Sequence, residues 1–129
     1  MPQVKVYGLQ NNIEPKRFAL SHAIHSALME TIATPKLKRF QRFIILEPEN
    51  FIFPSDRTSN YTIIEISLFE GRSTEAKKNL IRSLYQKIVR TTGLKPEDLE
   101  ITIFETPRHN WGIRGITGDE LDLDYKIDI

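Results

Sequence analysis

Tyr61-Thr62-Ile63-Ile64-Glu65-Ile66-Ser67-Leu68-Phe69-Glu70-Gly71-Arg72-Ser73 is the stretch that decides the fold. Its first part is rich in β-branched residues, with Ile64, Ile66 and Leu68 pointing one way and Ile63 and Phe69 the other. It reads as a strand that is apolar on both faces. Ser73 then supplies an N-cap for a helix carrying Ala76, Leu80, Ile81, Leu84 and Ile88, and Gly93 closes that helix. Leu99 to Glu105 follows as another strand. The same order stands once earlier in the chain. Val4-Lys5-Val6-Tyr7 opens a strand, and Pro15 sits early in a helix whose stripe is Leu20, Ile24, Ala27, Leu28 and Ile32. Thr34-Pro35 stops it, and Arg42-Phe43-Ile44-Ile45-Leu46 is the next strand. The two units match in length although their residues do not.

A strand–helix–strand unit makes its two strands parallel, with a right-handed crossover. The expected fold is therefore α+β: tandem β-α-β units in one domain over residues 1–129, forming a four-stranded mixed sheet with two helices on one face. Two helices leave the second face uncovered, and its apolar side chains predict a partner there. The tail gives the same message. Leu121, Leu123, Tyr125, Ile127 and Ile129 alternate with Asp122, Asp124, Lys126 and Asp128, which predicts a short C-terminal strand with one apolar edge.

Composition sets the outer bounds. At 129 residues the chain fits one domain with a real core. Eighteen basic residues against seventeen acidic ones argue against a nucleic-acid partner, which needs a clustered basic face. The absence of cysteine excludes disulfide scaffolds, thiolate nucleophiles and thiolate metal sites. No apolar run has the length of a membrane span and no signal-peptide pattern opens the chain, so no membrane partner and a cytoplasmic location are expected. His22 and His25 stand three apart without a third ligand at metal spacing, so neither a metal site nor a cofactor is expected.

Three residues stand out as candidates for chemistry. Pro2 directly follows Met1 and directly precedes a strand. With Met1 removed, Pro2 carries a secondary amine, which burial and nearby positive charge keep neutral near pH 7. A base or acid tuned to the working pH is the efficient one. With Met1 retained, the same nitrogen is an amide and has no such role. Arg72 lies between a strand end and a helix start, where it can hold a carboxylate through two parallel hydrogen bonds. Trp111 is the only tryptophan and sits in the loop Pro107-Arg108-His109-Asn110-Trp111-Gly112, as a pocket wall or as a plug on the sheet end. Gly112, Gly115 and Gly118 follow a strand but open no helix, which makes a phosphate loop a poor reading. Arg39, Arg42, Arg57, Arg108 and Arg114 add charge, and spacing singles out none of them.

Taken together, Pro2 before a strand, the doubled unit, Thr62 to Ser73, Lys77-Lys78, Gly93 to Asp98 and Glu105 to Trp111 resemble the tautomerase superfamily. The likeness is to its longer-chain branch, which includes malonate semialdehyde decarboxylase. The resemblance implies a homotrimer, a catalytic amino-terminal proline, and arginines that hold the carboxylate of a small keto or aldehyde acid. Residue by residue, Pro2 falls on that proline, Arg72 on the second arginine of an Arg-x-Arg pair, and Trp111 on the late-loop tryptophan. Arg39 and Gln41 match the arginine and glutamine that follow the decarboxylase's essential aspartate. Lys38 stands where that aspartate would be, and Glu70 replaces the first arginine of the pair. These departures argue against decarboxylation. The expected function is that of a proline-dependent tautomerase or isomerase acting on a small enolisable carboxylated carbonyl compound. The alternatives are a related decarboxylase or dehalogenase, and a catalytically silent trimeric binding or scaffold protein.

Overall fold

Strand β1 (Gln3–Leu9) has a neighbour on each side in the computed structural model, which describes residues 2–123 and 126–129. Helix α1 (Gln10–Ile32) returns the chain to β2 (Phe40–Leu46), which pairs with β1 in parallel. A long connection leads to β3 (Thr62–Phe69), which lies antiparallel on the other side of β1. Helix α2 (Thr74–Thr92) then leads to β4 (Leu99–Thr106), parallel to β3. The sheet order is β2-β1-β3-β4, with two β-α-β units joined back to back through β1 and β3. Beyond it, β5 (Gly112–Ile113) and β6 (Ile116–Thr117) form a small antiparallel pair.

Both helices lie against the face carrying Val4, Val6, Ile64, Ile66 and Leu68, all buried. From α1 come Ile13, Leu20, Ile24, Ala27, Leu28 and Ile32, and from α2 come Leu80, Leu84 and Ile88. A fully buried aliphatic side chain of this kind contributes about 1.5–3 kcal/mol before entropic costs. Gly8 allows the closest approach in this layer. A Cβ there would lie 2.6 Å from Cγ1 of Ile13, so any side chain would force Ile13 to shift from its place between α1 and the sheet. Ser73 caps α2 by accepting from the Ala76 N–H at 3.1 Å, and Gly93 ends it with φ of 75°, as the sequence predicts.

The second face is more mixed than the strand pattern suggests. In register across its middle lie Arg42, Lys5, Glu65 and Thr102, and the Tyr7 hydroxyl donates to Glu65 Oε1 at 2.8 Å. The expected C-terminal strand is not formed by residues 121–123 and 126–129, and Asp124 and Tyr125 lie outside the described residues. A period-two pattern makes a strand only where a ladder partner is offered. Here the tail is held instead at the start of α2. Ile127 lies against Gly71, and the Ser73 hydroxyl donates to the Ile129 carbonyl at 2.8 Å.

Candidate active site at one end of the sheet

The antiparallel pairing of β1 with β3 gathers the candidate residues. At the level of Gln3, the sheet reads Phe40, Gln3, Ser67, Phe104 from edge to edge. The starts of β1 and β2 therefore share an end with the finishes of β3 and β4. Pro2 precedes Gln3 there and is buried. Lys38 precedes Phe40, Arg72 follows Phe69, and Trp111 follows Thr106.

At this end lies a cavity of about 280 Å³ lined by Gln3, Lys38, Phe40, Trp111, Gly112, Ile113 and Arg114. Trp111 is fixed from several directions. Its Nε1–H donates to Thr106 Oγ1 at 2.6 Å, its ring meets Phe69 edge-on with centroids 4.9 Å apart, and its carbonyl accepts from the Gly118 N–H at 2.8 Å. It is thus both a cavity wall and a plug. It covers Phe69, which is fully buried although it points to the open face. Arg108 braces the loop: Nε donates to the Gly118 carbonyl at 3.0 Å, Nη2 to the Leu121 carbonyl, and the guanidinium lies 5.7 Å from the Phe69 ring centre. Gly118 is required at this point, because a Cβ would run into the Arg108 carbonyl oxygen. Nearby, hydrogen bonds from the Thr117 hydroxyl and from its own backbone N–H hold the Asp119 carboxyl below its ordinary pKa, with His109 and Arg108 adding smaller attractions.

The lip opposite is the β5–β6 hairpin. Its turn residues Arg114 and Gly115 have φ of 51° and 88°, the left-handed pair that a tight two-residue hairpin turn demands. Glycine takes that conformation freely. An arginine holding it at the tip of a hairpin carries a backbone cost of about 1–2 kcal/mol.

The sequence candidates are not all brought to the cavity. Trp111 lines it, whereas Pro2 is buried at the same end of the sheet and is not among the lining residues. Arg39 is turned to the helix side, where its Nη1 donates to Ser21 Oγ at 3.3 Å and it lies near His22, His25, Met29 and Lys36. Arg72 is 5 % exposed and donates through Nη1 to the Phe69 carbonyl at 3.2 Å, which secures the turn between β3 and α2. Lys38, Phe40, Ile113 and Arg114 line the cavity instead. Among the described residues no cluster of histidine and carboxylate side chains is arranged to hold a metal ion, and no helix is long and apolar enough to cross a membrane.

Comparisons with known proteins bear on the family and the fold. The profile of a family described as tautomerase enzyme matches residues 38–114. The probable tautomerase YusQ of Bacillus subtilis (strain 168) is 28% identical over 116 residues, covering 86% of this chain and 91% of its own. Among solved structures, FG41 malonate semialdehyde decarboxylase inhibited by 3-bromopropiolate superposes with a TM-score of 0.80 at 23% identity, covering 94% of this chain and 98% of that one. An asymmetric trimer of wild-type fused 4-OT gives a TM-score of 0.79 at 22% identity, covering 92% and 97%. At these identities the two structures establish the fold.

Proposed function

The chain belongs to the tautomerase family, and from that premise we propose that it is a proline-dependent tautomerase acting on a small enolisable keto or aldehyde carboxylic acid. The observation that carries this reading is the burial of Pro2 at the head of the central strand, at the end of the sheet that holds the Trp111 cavity. Freed of Met1, the Pro2 nitrogen takes a proton from the carbon beside the substrate carbonyl. The C–H electron pair becomes the new C=C bond, the carbonyl π pair moves onto oxygen, and the proton is delivered there. No atom or electron enters or leaves, so one base of suitable pKa suffices and no cofactor is called on. The reading includes a homotrimer in the cytoplasm, in keeping with the uncovered sheet face and with the fused 4-OT relative.

A second reading, a catalytically silent trimeric scaffold, is favoured by the buried Arg72, which the turn after β3 employs for its own closure. Covalent labelling separates the two. Protein proven by intact mass to start at Pro2 should be modified by an acetylenic or halogenated small acid at Pro2, and protein retaining Met1 should not. Labelling elsewhere, with no turnover of enolisable keto acids, leaves the scaffold.

A further inference from the structure

Neither Arg39 nor Arg72 lines the cavity, yet the cavity has two cations of its own. Lys38 and Arg114 both line it, and among the described residues neither side chain makes an ion pair or a hydrogen bond. Several other cations are engaged, Arg39 with Ser21, Arg42 with Gln3, Arg108 with two carbonyls and Lys77 with Glu105, whereas Lys38 and Arg114 are the two that line this cavity. Lys38 faces the cavity because side chains alternate at the entry to β2, which sends Lys38 and Phe40 to the open face and Arg39 and Gln41 to the helices. Arg114 is carried to the cavity by a hairpin turn that it occupies at a backbone cost, and strain at a cavity lip points to use. Phe40, Trp111 and Ile113 give the same cavity an apolar wall.

Resting on the tautomerase reading, we infer that Lys38 and Arg114 are the specificity-determining residues of this site, the pair that holds the carboxylate of a substrate whose flat apolar body lies on Phe40 and Trp111. A cation with no protein partner at the mouth of an apolar cavity is satisfied by water until an acid arrives, and the acid then gains charge-assisted hydrogen bonds there. Lys38 is a mobile point charge, whereas Arg114 offers a planar fork, so the two together accept a carboxylate in a fixed plane.

Binding of an inert probe tests this apart from catalysis. We would titrate 4-fluorocinnamate, and its uncharged amide, into protein carrying Lys38→Gln, Arg114→Gln or Arg114→Gly, and follow the fluorine NMR signal and Trp111 fluorescence. Arg114→Gly keeps the left-handed turn, so it removes the cation without removing the hairpin. Each variant should bind the acid about tenfold more weakly, the loss expected for one charge-assisted contact. Amide binding should be the same in all of them, and added salt should weaken only the acid. Equal binding of the acid by all variants, equal binding of acid and amide, or no binding of the acid by the unaltered protein overturns the inference. If Lys38→Gln and Arg114→Gly turn over keto acids with an unchanged KM, the tautomerase reading stands and this one falls. Intact acid binding in a protein without turnover has the opposite meaning.

Discussion

After β4, the Asn110 N–H closes a turn on the Pro107 carbonyl at 2.9 Å and delivers Trp111; after β2, the Asn50 N–H closes the matching turn on the Glu47 carbonyl at 2.8 Å and delivers Phe51. The two halves agree just as closely before their second strands. The Lys38 N–H bonds the Pro35 carbonyl at 3.0 Å, and the Asp98 N–H bonds the Lys95 carbonyl at 2.9 Å. Each end of the sheet has a cavity of about 280 Å³. The far one is lined by Leu9, Gln10, Asn11, Asn12, Ile45, Leu46, Glu47, Pro48, Ser59 and Asn60, with a carboxylate and no cation. Where one end has Lys38 facing its cavity, the other has a buried Asp98 that accepts from the Thr58 N–H at 2.8 Å and from the Thr58 hydroxyl. Phe51 stacks on Tyr61 with centroids 5.3 Å apart, where Trp111 meets Phe69. A repeated backbone thus makes two hollows of unlike charge, one lined by Lys38 and Arg114 and the other by Glu47, while Asp98 secures the connection between the halves.

The comparison breaks most sharply at the strand heads. Pro2 heads β1 and Tyr61 heads β3. Retaining Met1, or adding any residue before Pro2, should lower turnover of an enolisable keto acid by about 10²–10⁴-fold, the usual worth of a positioned acid–base group. Tyr61→Phe keeps the aromatic stack and should leave turnover unchanged. Steady-state kinetics on mass-verified protein checks both, and equal losses would show that the two ends are not functionally distinct.

Trp111→Ala and Phe51→Ala sharpen the contrast at the matched turns. Each should destabilise the fold by about 2 kcal/mol, less than a fully buried aromatic costs because both rings are half-exposed. Only Trp111→Ala should also lower kcat/KM, by about tenfold or more for a lost apolar wall. Urea denaturation alongside kinetics separates the two effects, and a similar kinetic loss in Phe51→Ala would assign catalytic weight to the far cavity.

The smallest difference lies in the helices. His25 is buried in α1 with Nε2–H donating to the Lys36 carbonyl at 2.8 Å. Tyr85, at the matching place in α2, donates its hydroxyl to the Leu99 carbonyl. Burial pushes the His25 pKa below its ordinary 6.5, opposed by the bond to Lys36 and reinforced by Arg39 and His22. Protonation would put a second N–H at Nδ1, which is buried with no hydrogen-bond partner among the described residues. As pH falls below 6.5 the unfolded chain gains a proton at His25 that the folded one refuses, so stability drops until the lower folded pKa is reached. His25→Gln should flatten that slope in urea titrations between about pH 5 and 7. Burial raises the Tyr85 pKa instead, so Tyr85→Phe should leave the slope untouched.

The sequence makes the repeated plan legible because both helices and β3 carry long, regular apolar patterns, and Ser73 and Gly93 mark the bounds of α2. The site is less legible. Lys38 and Arg39 both precede β2, which starts at Phe40, and a strand read from Arg42 stops short of them, so the sequence pattern assigns neither to a face. Arg72 looks like an exposed junction residue, yet Phe69 is covered by Trp111 from a distant loop, and no local pattern reports that burial. The strands of the hairpin bearing Arg114 are too short to show a period. Its only signal is Arg114-Gly115 between Ile113 and Ile116, a tight-turn pair flanked by apolar residues.

The central place of β1 also bears on how the chain reaches its native state. Neither of its neighbours is adjacent in sequence: β2 lies beyond the whole of α1, and β3 beyond β2 and a long connection. During synthesis β1 leaves the ribosome before either partner exists, and the main sheet contains no hairpin to zip locally. Each ladder must close a large loop before it is rewarded, which places folding in the slow range of mixed α/β domains. Until β3 emerges, β1 and β2 present an unpaired apolar edge to any other nascent chain nearby, the interval in which aggregation competes with folding.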